Sequence, residues 1–206
     1  MSSDHSLPLS DYNEKDQSLL EPVISRGSYR VKYRGQNKWD FVLDMPQRPK
    51  PMDTSLILPH YRARHQPVDH RMSMFVSSET SPIRLKICRS VASSRFYLEL
   101  RALSSDVTVW LPSDFKGQIY HTGKATFSSG FTNRIMRNVR FNDDFFYDQP
   151  MEDVVVVCTT GQVTFRMWDV RTCSPEIPHK EAMRRMFGCV RKVPETTINW
   201  DFLLED

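Results

Sequence analysis

The chain has 206 residues and a formal charge of +3, enough for one compact core with appendages and far short of the dense positive field of a dedicated nucleic-acid binder. No run of about 18 uninterrupted apolar residues is present to span a bilayer, and the first residues lack the apolar stretch of a signal peptide. Thirteen prolines against seven glycines and a mean hydropathy of −0.50 imply that part of the chain stays outside the core.

Residues 1–25 set Asp4, Asp11, Glu14, Asp16 and Glu21 against Lys15 and show no sustained hydrophobic period. So polar a segment cannot offset its ordering entropy by burial, which predicts a disordered acidic tail. From Arg26 to Arg71 the balance reverses, with ten Lys and Arg against four Asp. Residues 26–70 read as a basic, proline-containing arm. Two apolar pieces, Tyr29-Val31-Tyr33 and Trp39 to Leu43, are separated by Gly35 and followed by Pro46, Pro49 and Pro51. Proline fixes φ and removes a ladder donor, so these are short strands joined by extended linker.

Residues 71–206 form the expected β-rich core. Ile83 to Ile87, Phe96 to Arg101 and Val107 to Leu111 alternate apolar and polar residues, the signature of strands with one buried face. Small polar turns precede several strands: Ser78 to Pro82, Ser104 to Asp106, Thr159 to Gln162 and, more weakly, His121 to Lys124. Units of this kind could stack as rungs or pair as sandwich strands. Val154 to Val157 is apolar at every position, which predicts a central strand covered on both faces, with Val156 in the interior. Ser174, Pro175 and Pro178 open one helix at about 179–187, with Ala182, Met183 and Met186 on its apolar side and Gly188 at its end. After Pro194, Trp200-Asp201-Phe202 echoes Trp39-Asp40-Phe41, either as a docking peptide or as cover for a sheet edge.

Asp143, Asp144, Asp148, Glu152 and Asp153 crowd one span, but it lacks the glycine of a calcium loop and reads as a solvated turn. His60, His65 and His70 recur at a spacing that shares no face of a helix or strand, which argues against zinc. Cys88, Cys158, Cys173 and Cys189 are scattered without a CxxC pair and are expected to be reduced thiols. No nucleophile elbow or phosphate-cradling glycine loop occurs, so no catalytic, cofactor-binding or metal residue is assigned. Trp110 and Trp168 are expected to pack in the core. Two basic groups qualify as polyanion contacts. Arg30, Lys32, Arg34 and Lys38 lie among Tyr29, Tyr33 and Trp39; Arg134, Arg137 and Arg140 lie near Phe131 and Phe141, where a charged strand face is the plainer reading.

The segments Val107 to Gly117 (with Trp110-Leu111-Pro112 and Asp114-Phe115), Ser128 to Phe131, and Gly161 through Trp168-Asp169-Val170 resemble an uncharacterised domain family widespread in mushroom-forming fungi. The likeness runs from Ser104 to Gly188 and, with the strands from Met72, covers a little over half the chain. It implies a β-rich fold and carries no assigned reaction or site residues.

The expectation is therefore a mainly β protein, a β-sandwich or irregular stack of β rungs with one C-terminal helix and a disordered N-terminal arm. Its expected role is that of a non-enzymatic intracellular interaction module, cytoplasmic with nuclear entry left open, acting on an unknown protein partner. Two other readings stand beside it: polyanion binding (RNA, DNA or anionic lipid) through the basic arm, and an enzyme whose site assembles from distant residues.

Overall fold

Strands with one apolar face need a second apolar layer to cover them, and here that layer is supplied by the same chain on alternate passes. The computed structural model describes residues 26–35, 37–45, 51–89, 94–142 and 152–186. The acidic tail, Asp143, Asp144, Asp148, Cys189 and Trp200 to Leu204 lie outside the described residues. One sheet runs β1 (Arg26–Arg30), β3 (Met52–Ile57), β5 (Ile83–Cys88), β7 (Val107–Pro112), β12 (Gln162–Asp169), with β9 (Lys124–Phe127) and the two-residue β13 (Ser174–Pro175) sharing the far edge of β12. The other runs β2 (Phe41–Met45), β4 (Met72–Ser78), β6 (Phe96–Ala102), β11 (Asp153–Cys158), β8 (Gly117–His121), β10 (Val139–Phe141). Every pairing is parallel except β12 with β13.

Parallel neighbours need a long crossover connection, commonly a helix. In this chain the crossover is a strand of the opposite sheet, because β1 to β7 alternate between the two sheets. The result is a stack of rungs rather than a meander of hairpins. Segment 26–70 takes part: β1 and β3 pair in register with each other, β3 with β5, and β2 with β4. Inward side chains of one sheet (Met52, Leu56, Ile83, Leu85, Val109, Phe165) meet those of the other (Met74, Val76, Leu98, Leu100, Ile119, Val155) in one continuous core. Each such burial contributes about 1.5–3 kcal/mol.

The regular climb breaks after β7. Strand β8 skips one position in its sheet and β9 skips one in the other; β11 and β12 later fill those gaps, β11 between β6 and β8, β12 between β7 and β9. The all-apolar Val154 to Val157 run is thus an interior strand, as its pattern predicts. Its side chains still alternate. Val155 and Val157 enter the core, whereas Val156 faces outward, half-buried, in register with Glu99 and Tyr120. The expectation that Val156 is interior is corrected to Val155, because consecutive residues of a strand point to opposite faces whatever their polarity.

The small polar turns all become corners on one side of the stack, joining the second sheet to the first in the spatial order 78–82, 103–106, 159–162, 121–124. They are laced to one another. Ile83 N–H donates to Asp106 O, Thr160 N–H to Leu103 O, Gln162 N–H to Asp106 Oδ1, and Thr159 N–H to Thr122 Oγ1. Two of them approach so closely that glycine is required. A Cβ at Gly161 would lie 2.8 Å from Ser104 O, and one at Gly123 would lie 2.3 Å from Gly161 O.

The helix α2 (Pro178–Met186) falls where its start signals place it. A second helix, α1 (Ser129–Arg134), has no counterpart in the sequence reading. Ser128 caps it by accepting from Phe131 N–H, and its Phe131 closes the last rungs against Phe127 and Phe165. Trp110 is buried as expected, but on the outer surface of its sheet, beneath Arg84, Lys86 and Arg166. No described helix is long and apolar enough to cross a membrane.

Candidate functional site

On the side opposite the small polar turns, the first two rungs turn through much longer corners. Residues 31–40 join β1 to β2, and residues 58–71 join β3 to β4. Each corner is pinned at its ends by burying Val31 and Leu58, whose N–H groups donate to Ile57 O and Cys88 O. Beyond those anchors most of the polar residues point outward, Asp40 being the buried exception.

The two corners are tied by Asp40, which is 3% exposed. Its carboxylate accepts from Arg34 N–H and Ser73 N–H, both at 2.8 Å, and lies 2.8 Å from His70 Nε2. The His70 ring in turn stands edge-on to Tyr33, 4.7 Å between centroids. Burial opposes ionisation of Asp40, but the Ser73 and Arg34 N–H groups and His70 outweigh it and hold the carboxyl below its ordinary value. A depressed carboxyl stabilises the fold at pH values above the unfolded value, and that contribution is lost as pH falls through the folded one. Asp40→Asn should therefore cost about 2 kcal/mol at neutral pH, the worth of hydrogen bonds to a charged acceptor. The gap from wild type should close on acidification below the carboxylate range, as read by urea unfolding across pH; a gap constant with pH would contradict this role.

The 58–71 corner is a built structure. Gln66 N–H donates to Ala63 O, Ala63 N–H to Gln66 Oε1, and His70 N–H to Pro67 O, making two consecutive turns. These turns carry Arg62, Arg64 and His65 outward, and His60 is exposed beside Tyr61. Across from them, the 31–40 corner exposes Lys32, Arg34 and Lys38, with Lys38 over the Trp39 ring at 5.4 Å. Trp39 itself lies against Phe75 and Tyr97 on the outer face of the second sheet. Among the described residues, none of Arg30, Lys32, Arg34, Lys38, Arg62 and Arg64 has a carboxylate partner, and Asp69 is the one exposed carboxylate of these two corners.

The second basic group is arranged differently. Arg134 pairs with Asp169 at 2.9 Å and Arg140 pairs with Glu152, while Arg137 stands exposed on the 3₁₀ turn Met136–Asn138. Of the carboxylate-rich span, Glu152 is thus engaged by Arg140, and Asp153 is buried against Arg89 at 2.8 Å. His70 is committed to Asp40, and His60 and His65 do not join it. Among the described residues no three His, Cys, Asp or Glu side chains converge as metal ligands.

Sequence reasoning missed the Asp40–His70 tie, the buried Arg89 and the outward Arg62 and Arg64. An ion pair between residues 64 apart, such as Arg89 with Asp153, leaves no trace in local pattern. Arg62 and Arg64 were legible only as part of a local positive balance.

No curated protein and no solved structure matches the chain. A family model described as Domain of unknown function (DUF7330) covers residues 49–145, so the matched span takes in β3 to β10 and the 58–71 corner, starts upstream of the expected resemblance, and stops before the inserted β11 and β12.

Proposed function

We propose that the protein is a non-enzymatic interaction module that takes an anionic partner on the basic edge formed by corners 31–40 and 58–71. The observation that carries this reading is the absence of carboxylate partners for Arg30, Lys32, Arg34, Lys38, Arg62 and Arg64 among the described residues. Lys86, Arg89, Arg101, Arg134, Arg140 and Arg166 are each held by an acidic side chain; Arg84, Lys116, Lys124, Arg137 and Arg171 also lack one among the described residues but lie outside these two corners. A cation neutralised within its own fold has little to offer a polyanion. An unpaired one displaces cations condensed on the polyanion, and that release drives association.

The proposal includes an intracellular site of action and a fungal family. Reduced thiols support the first: Cys88, Cys158 and Cys173 are free, and burial pushes the Cys88 thiol up to about 11, too high for a reactive thiolate at neutral pH. The resemblance carried by the Trp110 to Gly117 segment supports the second.

Heparin titration of the full chain over a salt series tests the reading. Affinity should fall steeply with salt, and Lys32→Glu with Arg34→Glu, Arg62→Glu and Arg64→Glu should flatten the logarithmic slope by about one per lost contact. Binding that ignores salt would favour an uncharged protein interface. No binding at any salt would remove the anionic partner altogether.

A further inference from the structure

The basic edge also carries two exposed apolar side chains, one aromatic and one aliphatic. Tyr61 and Val68 are 88% and 87% exposed, the two most exposed large hydrophobic residues among those described. Both sit on the 58–71 corner. Tyr61 precedes Arg62 directly, and Val68 lies in the second turn, closed by the His70 N–H to Pro67 O bond. The 67–70 turn holds Val68 out, Tyr61 lies just before the 63–66 turn, and neither is in the hydrophobic core or packed against it. Leaving both in water is unfavourable, and nothing in the folding of the corner demands it.

We infer that this corner docks on an anionic bilayer surface, with Tyr61 and Val68 entering the interface while Lys32, Arg34, Lys38, Arg62 and Arg64 meet the lipid phosphates. The inference rests on the proposed function and names its partner. Tyrosine settles at the headgroup level because its ring is apolar and its hydroxyl polar, and basic residues beside it are drawn to an anionic leaflet. An aliphatic side chain such as Val68 has no stacking role on a single-stranded nucleic acid, where ring faces do the work. Asp69, between Val68 and His70, opposes the attraction by one charge and is outnumbered by the five cations.

The test is co-sedimentation of the full chain with vesicles of phosphatidylcholine alone and of phosphatidylcholine mixed with phosphatidylserine, run beside heparin binding. The wild-type chain should sediment with the anionic vesicles and not with the neutral ones. Tyr61→Ser with Val68→Ser should weaken vesicle binding about tenfold or more while leaving heparin affinity unchanged, since only the bilayer offers an apolar phase. The four charge reversals should abolish both, each lost cation costing about fivefold on vesicles. Heparin binding without vesicle binding, or vesicle binding indifferent to the two serines, overturns the inference and leaves the proposed function standing. Failure with both ligands overturns both. All six positions are exposed, so equal melting temperatures should confirm that the variants fold.

Discussion

Replacing Arg89 with methionine is expected to lower the unfolding free energy by about 3–5 kcal/mol, the usual cost of stranding one partner of a buried ion pair. Arg89 is 2% exposed. Its Nη1 donates to both Asp153 oxygens, at 3.0 and 2.8 Å, and to Ser94 O at 3.1 Å; its Nη2 donates to Asp114 Oδ1 at 2.9 Å. Phe96 N–H adds a bond to Asp153 Oδ1, and Asp153 N–H reaches Lys116 O. One guanidinium thereby joins the end of β5, the start of β6, the corner before β8 and the start of the inserted β11.

The pH dependence of that loss follows from Asp153. Burial pushes its carboxyl above the ordinary value, against the pull of Arg89 and the Phe96 N–H. A raised carboxyl favours the fold at acid pH and works against it as pH rises through the folded value. With Arg89 gone the carboxyl rises further, so the variant's deficit should be smaller at acid pH than at neutrality. Urea unfolding at the two pH values measures it. A neutral-pH deficit below about 1 kcal/mol would mean that the cluster is solvated. Replacing both partners, Arg89→Met with Asp153→Leu, should recover much of the loss, because no charge is then left buried alone.

Val155→Asp should prevent folding, since it places a lone carboxylate between Leu98 and Ile119, its neighbours in register, all three fully buried. The expected cost is about 3 kcal/mol or more. Val156→Asp, one residue on, should cost about 1 kcal/mol, from like charge beside Glu99 and lost cross-strand contact with Tyr120. Thermal unfolding of the two variants separates them. Equal melting temperatures would show that β11 does not alternate in this register.

The period-two pattern of Ile83 to Ile87, Phe96 to Leu100 and Val107 to Leu111 made the strands, their inward faces and the mainly β class legible, because one-sided burial dictates side-chain alternation directly. The small polar turns were legible as units for a related reason: their glycines and hydroxyls serve backbone approaches that bulkier residues would block. The α2 helix announced itself through its prolines. By contrast, α1 is six residues long and owes its place to Phe131 entering the end of the core, a tertiary demand with no local period.

For the candidate site, the excess of Lys and Arg between Arg26 and Arg71 was plain from composition, and so was the rival cluster at Arg134, Arg137 and Arg140. Partner choice separated them. Asp169, 35 residues away on β12, pairs with Arg134, and Glu152, just before β11, pairs with Arg140, while the cations of corners 31–40 and 58–71 have no carboxylate partner among the described residues.

Alternation of polar and apolar residues by itself determined that this chain forms two-faced strands, placed those at 83–87, 96–101 and 107–111, and fixed which of their side chains share a face. Tertiary structure alone decided that the strands run parallel, that β11 and β12 enter a gap left by β8 and β9, and which described charges pair with one another. The reason is that alternation records only whether a side chain is buried; strand direction, neighbour and ion partner depend on residues brought together from across the chain, and identical local patterns satisfy many such arrangements.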